Sequence, residues 1–188
     1  GRKENNPLPS KEDNWIIRNK MDFRLAVMQD LVQLKDMYKQ IVKNMDANGI
    51  QIWDDIYPCD FLEEDIKNNR LYILLNNSEI ISAFALCDKN AGEKAVEWND
   101  YHAKAMYIDR LGVNVRYSKQ GKGSLMIDKA KRIAKTLGAE YLRLFVVDIN
   151  EPAIQLYTKN DFVKVDGVYN EAFDDGFELH EYGYEIRL

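Results

Sequence analysis

Residues 111–127 read Leu111-Gly112-Val113-Asn114-Val115-Arg116-Tyr117-Ser118-Lys119-Gln120-Gly121-Lys122-Gly123-Ser124-Leu125-Met126-Ile127. The first part closes a β-forming run, Ala105–Val115, and the last part opens an amphipathic helix over Ser124–Leu137. That helix carries Leu125, Met126, Ala130, Ile133, Ala134 and Leu137 on its apolar side, and Gly138 ends it. Between strand and helix lies a turn with two glycines and two lysines. The first amides of a helix have no intrahelical partner, and the helix dipole adds partial positive charge where they converge. Gly121 and Gly123 allow close approach and positive φ, and Lys119 and Lys122 add charge. Such a turn suits a phosphate or pyrophosphate, although an ordinary tight turn before a helix would look the same. It is neither a P-loop, because Arg116 stands at the first glycine position, nor a dinucleotide fingerprint, because Met126 stands at the third.

Working outward, Phe23–Met28 reads as a strand and Asp30–Met45 as a helix with Leu31, Leu34, Met37, Tyr38, Ile41 and Val42 at helical spacing, stopped by Asn48-Gly49. A second short helix is expected over Cys59–Asn68 with Asp60 as its cap. Arg70–Leu75 and Glu79–Leu86 form a hairpin around Asn76-Asn77-Ser78, and Asp88–Asp100 reads as a polar loop. Tyr141–Val147 is a strand and Asn150–Lys159 a helix capped by Asn150. Phe162–Tyr169 and Phe177–Arg187 are two closing strands. The order β-α-α-β-β-β-α-β-α-β-β implies one α/β (α+β) domain over residues 21–188, a mixed sheet of about seven strands flanked by about four helices. Residues 1–20 are polar and read as an expression leader or an N-terminal arm.

Composition narrows the function. The chain has 188 residues, 46% of them hydrophobic and 30% charged, with a formal charge of −5, an ordinary globular profile without a general pull toward nucleic acid or anionic lipid. Two cysteines, Cys59 and Cys87, and two histidines, His102 and His180, make neither a disulfide framework nor zinc-ligand spacing, so no metal is expected. No apolar run is long enough to span a bilayer and no signal-peptide pattern is visible, so the expected location is the cytoplasm, with no membrane partner.

Two stretches resemble the GNAT (GCN5-related N-acetyltransferase) superfamily. The first is Ser118-Lys119-Gln120-Gly121-Lys122-Gly123 between its strand and helix, where the family has Q/R-x-x-G-x-G/A and this chain has Ser at the first position. The second is Asn150-Glu151-Pro152-Ala153-Ile154-Gln155-Leu156-Tyr157-Thr158-Lys159-Asn160-Asp161-Phe162, similar to N-x-x-A-x-x-L-Y-x-K-x-G-F, with Asp161 replacing a glycine. Asp tolerates positive φ better than most residues. The match is good over Met106–Val165, and strand order extends it over Met21–Leu188.

The resemblance implies a GNAT fold, a mostly antiparallel twisted sheet with a splayed pair of central strands. It also implies an acetyltransferase using acetyl-CoA as co-substrate, a small-molecule or peptide amine as acceptor, and a homodimer by analogy. Leu111, Gly112 and Val113 would pair with the pantetheine arm, with a backbone N–H near Val113 at the thioester oxygen. Lys119, Gln120, Gly121, Lys122, Gly123 and Ser124 would take the pyrophosphate. Tyr157 would be the general acid for the departing sulfur, or else a packed aromatic; Asn150 would hydrogen-bond pantetheine, cap its helix, or both. Asp109 is the expected base, with Glu97 as the other carboxylate considered and an ion pair as its bland role. Trp53, Tyr57 and Trp98 would line the acceptor site or fill core and rim. A non-catalytic acyl-CoA-binding module is the competing reading.

Overall fold

The computed structural model describes residues 21–188, so the reading of residues 1–20 lies outside the described residues. In chain order the elements are β1 (Met21–Leu25), α1 (Leu31–Ala47), α2 (Leu62–Lys67), β2 (Leu71–Asn76), β3 (Glu79–Cys87), β4 (Val96–Glu97) and β5 (Ala105–Val113). They continue as α3 (Lys122–Thr136), β6 (Tyr141–Val147), α4 (Glu151–Lys159), β7 (Val163–Lys164), β8 (Asp166–Gly167), β9 (Tyr169–Ala172) and β10 (Glu178–Arg187).

The main sheet runs β1-β2-β3-β5-β6-β10-β7, with β9 also on β10. Every pairing is antiparallel except β5 with β6. The expected mixed, mostly antiparallel sheet with four α-helices is therefore present, with eight strands rather than about seven. The excess comes from the Phe162–Tyr169 strand, which is three short pieces. Gly167 at φ +99° turns the chain so that β8 leaves the main sheet and pairs with β4. The Asp88–Asp100 loop is correspondingly less polar in effect than it reads. Val96 and Trp98 are buried, and Arg143, itself 2% exposed, lies 4.7 Å over Trp98 and 3.3 Å from Glu185. A buried guanidinium is tolerated only when paired in this way.

Two cores form on opposite faces of the sheet. One joins α1 and α2 to β2 and β3 through Leu34, Tyr38, Leu62, Ile73 and Ala83. The other joins α3 and α4 to β5, β6 and β10 through Met126, Ile127, Ala130, Leu142, Leu144 and Tyr157. The buried stripe of α3 is Met126, Ile127, Ala130 and Ala134, rotated from the expected one, so Leu125 and Leu137 are exposed. The helix starts at Lys122, two residues earlier than expected, and its packing against β3 and β5 sets which residues face inward. Asp60 does not cap α2; a 3-10 turn over Cys59–Phe61 leads in, and Phe61 occupies the cap position.

Glycine lets the layers close. A Cβ on Gly112 would lie 2.8 Å from Tyr38 and 2.9 Å from Ile41, and one on Gly123 would lie 2.9 Å from Leu156. The second contact locks α4 against the start of α3, aided by a 3.0 Å hydrogen bond from Asn160 Nδ2 to Ser124 Oγ. The two motif segments are thus packed on each other.

Candidate active site

The parallel pairing of β5 with β6 covers only Ala105–Tyr107 against Tyr141–Arg143. Beyond Tyr107 the two strands part, leaving one edge of β5 unpaired up to Val113. The cause is local. On β3, Ala83 pairs with Gly112 and Ala85 with Asp109, so two residues of β5 oppose the single residue Phe84. This is a β-bulge, and Arg110 sits in it at φ +54°. At the far end of β5, Asn114 N–H donates to Ile81 O on β3 at 2.7 Å. Alternation along a strand then turns the Val113 N–H to the opposite edge, into the gap.

The gap leads to the glycine turn. Asn114 accepts from Arg116 N–H and starts a 3-10 turn over Val115–Tyr117, which ends the strand two residues short of its expected limit. Lys119 at φ +59° and Gly121 at φ +75° shape the loop. Leu125 N–H donates to Gly121 O at 3.1 Å, so the amides of Gly121–Ser124 precede the hydrogen-bond ladder of α3. Among the described residues, its chain neighbours aside, nothing lies within 4 Å of where a Cβ on Gly121 would stand, so the turn is open on that side. The Asn150 side chain accepts from Ala153 N–H at 3.4 Å, so Asn150 caps α4. Asp161 adopts φ +69°, the conformation expected of the residue standing in place of glycine.

Ionisable side chains collect where β5 and β6 part. Asp109 lies beside the bulge and accepts from Asn90 Nδ2 at 3.2 Å. Burial pushes its carboxyl above the usual range, and the neighbouring Arg110 opposes that shift. Tyr157 is 8% exposed, stands edge-on to Phe162 at 5.8 Å, and has its phenol raised by burial and then by Asp109 and Tyr57. Tyr57 is pushed up to about 12, chiefly by burial, with Asp109 and Glu181 among its electrostatic neighbours. Three residues far apart in sequence are thus electrostatic neighbours where β5 and β6 part.

Glu181 on β10 is the member sequence reasoning missed. Its carboxyl is pushed up to about 8, first by burial, then by the neighbouring Glu171 carboxylate and Asp109. Among the described residues its buried Oε2 has no hydrogen-bond partner. Cys87 also neighbours Asp109, and burial pushes its thiol up to about 12. Nothing in the local pattern of β10 marks Glu181; only strand order brings it to Asp109.

Other candidates lie elsewhere. Glu97 is exposed on β4, opposite Asp166, and lines a concavity of about 450 Å³ bounded also by Asp161 and Arg187. Trp98 is core: 7% exposed, its indole N–H donates to Glu93 O at 2.8 Å, and it borders a separate concavity of about 220 Å³. Neither concavity includes Asp109, Tyr157 or the glycine turn. Trp53 packs on Tyr38, with ring centroids 5.8 Å apart, and its other neighbour is Tyr57 at 6.3 Å. His102 is in an exposed loop. Among the described residues no group of three or more His, Cys, Asp or Glu is arranged to hold a metal ion, and no helix is long and apolar enough to cross a membrane.

The sheet opens between β5 and β6 beside the glycine turn that starts α3, and α4 is locked to that helix, which defines an α/β protein with an unpaired strand edge running to a helix start. A model of the acetyltransferase (GNAT) family matches residues 34–162. The chain belongs to the GNAT family of acyl-CoA-dependent N-acetyltransferases.

Solved structures share the fold. A GNAT-family acetyltransferase from Listeria monocytogenes is similar with a TM-score of 0.68 and 19% identity, over 89% of this chain and 95% of that one. NAA60 of Arabidopsis thaliana, solved with a bisubstrate analogue, is similar with a TM-score of 0.65 and 18% identity, over 89% and 98%. The paia N-acetyltransferase of Thermoplasma acidophilum, solved with coenzyme A, is similar with a TM-score of 0.61 and 18% identity, over 90% and 99%. No curated protein matches the chain in sequence.

Proposed function

We propose that this chain transfers an acetyl group from acetyl-CoA to a primary amine of a small molecule or peptide, by direct attack of the amine. The observation that carries the reading is the run from the open amide cradle at Gly121, along the unpaired edge of β5, to the Asp109–Tyr57–Tyr157 cluster. That run offers, in order, what a diphosphate, an extended arm and a reacting carbonyl need.

Acetyl-CoA supplies the activated carbonyl. Lys119, Gln120, Gly121, Lys122, Gly123 and Ser124 would hold its diphosphate. Leu111, Gly112 and Val113 would pair with the arm, assisted by Asn150, and the Val113 N–H would donate to the carbonyl oxygen as negative charge develops there. Asp109 takes the first proton, from the ammonium, so that the free amine can attack; a carboxyl raised by burial is a better base than an exposed one. The second proton, lost from nitrogen as the adduct collapses, replaces the one that Tyr157 gives up. Tyr157, kept protonated by its burial, gives its phenolic proton to the departing sulfur. Asp109, Glu181 and Glu171 are electrostatic neighbours, and an acceptor that arrives as a cation would relieve the crowding that raises Glu181.

Thiol release measured against a panel of primary amines tests this. Tyr157→Phe is expected to lower kcat on the order of 10²-fold with acetyl-CoA affinity retained. Full activity in that variant removes Tyr157 from the mechanism. Coenzyme A binding with no turnover on any amine would replace the enzyme by a non-catalytic acyl-CoA-binding module.

A further inference from the structure

Arg110 is a non-glycine residue in left-handed backbone at the centre of a sheet, a conformation that costs about 1–3 kcal/mol and persists only where the surroundings impose it. The surroundings come from three elements. On α2, fully buried Asp65 accepts from Arg110 Nε at 2.8 Å and from Arg110 Nη2 at 2.7 Å, a fork that binds both carboxylate oxygens. Asp65 is itself fixed by Arg70 Nε at 2.7 Å. On α1, the Tyr38 hydroxyl donates to the Arg110 carbonyl. In the segment before α2, the rings of Tyr57 and Phe61 lie 5.9 and 5.4 Å from the guanidinium carbon, and the two rings meet edge to face at 5.1 Å.

We propose that Arg110 is a positioning residue, which locks the β5 bulge through Asp65 and docks the Tyr57–Phe61 segment so that Asp109 and Tyr57 face the cleft. The clamp explains why the bulge survives its backbone cost. It also explains how a segment without strand pairing carries Tyr57 to the reacting groups. A fork that satisfies both oxygens of a buried carboxylate is stiff, and lysine can reproduce neither its two parallel bonds nor its flat contact with the rings. The inference rests on the acetyltransferase reading of the cleft only for its kinetic consequences; the geometric claim stands apart from it.

Deleting Arg110 alone would leave the buried Asp65 carboxylate with Arg70 and without its fork, so the test uses Arg110→Met together with Asp65→Asn, which removes both charges of the fork at once. Arg110→Lys is the conservative companion. The measurements are Tm, acetyl-CoA affinity by calorimetry, amine kinetics, and the titration of Asp109 followed by carboxyl carbon NMR. Asp109 is faced by Arg110, Arg70, Asp65, Cys87, Glu181, Tyr57 and Tyr157. Of the charged groups among these, Arg110 does most to hold its carboxyl down. In the double variant we expect a folded protein with acetyl-CoA affinity retained and kcat/KM for the amine reduced on the order of 10²-fold. The Asp109 midpoint, and with it the acid limb of the rate profile, should move to higher pH. Arg110→Lys should restore the midpoint but not the rate. Wild-type kcat/KM, or an Asp109 midpoint unmoved in a folded double variant, would overturn the proposal. If the wild type acetylates no amine, the functional reading fails, and the Asp109 titration still decides the positioning claim.

Discussion

Replacing Glu181 by Gln should stabilise this protein in alkaline solution and leave it nearly unchanged in acid. In the folded chain the Glu181 carboxyl rises from the ordinary 4.5 to about 8, because it is buried beside Glu171 and Asp109. Between those two pH values the folded chain holds a proton that the unfolded chain has released. Stability therefore falls as pH rises through the window, and the cost is complete above about pH 8. The full displacement sets a ceiling of roughly 5 kcal/mol. Water reaching the partly exposed side chain, and proton sharing with Glu171, reduce the cost to about 1–2 kcal/mol. Glutamine keeps the shape, removes the charge, and can donate from its amide nitrogen to Glu171. Thermal unfolding followed by circular dichroism should place the variant about 2–8 °C above wild type at pH 9, with the gap nearly closed at pH 5. An equal gap at both pH values, or a variant less stable than wild type at pH 9, would refute the argument that charge crowding raises this carboxyl.

Two further expectations concern the glycines. Gly112→Ala drives a methyl group against Tyr38 and Ile41, which lie 2.8 and 2.9 Å from its position. It should lower stability by about 1–3 kcal/mol in urea unfolding; an unchanged midpoint would mean that α1 yields freely. Gly121→Val meets no neighbour but forces a β-branched residue to φ +75°. It should cost about 1–2 kcal/mol of stability and weaken acetyl-CoA binding in calorimetry more than any change in Tm accounts for. Unchanged affinity would remove the Gly121 turn from the binding surface.

Much of the glycine turn, proposed to take the diphosphate, was legible in the chain itself. Gly121, Gly123 and the helix that follows are neighbours in sequence, and the backbone freedom and unpaired amides that matter there are properties of a few consecutive residues. The same holds for Asp161, whose positive φ follows from its place just after α4, and for Asn150, whose side chain needs to reach only three residues ahead. The helical periods of α1 and the hairpin of β2 and β3 were readable for the same reason. Where local reading slipped, the causes were also identifiable. The buried stripe of α3 differs because packing on β3 and β5 selects Met126, Ile127, Ala130 and Ala134, and the Phe162–Tyr169 strand broke because Gly167 bends β8 away to β4.

The surroundings of Asp109 were decided by tertiary structure. Arg110 and Asp65 are 45 positions apart and meet only because α2 packs under a bulge whose existence no periodicity announces. Glu181 reaches Asp109 because β10 lies next to β6 in the sheet, and its raised carboxyl comes from that company and from burial. Sequence by itself determined the turns, the helices and the amide cradle, since each depends on dihedral preferences and contacts within a few residues. Only the folded sheet decided which carboxylates share a cleft and where two strands part, because strand order, register and a one-residue bulge set distances that no stretch of chain encodes alone.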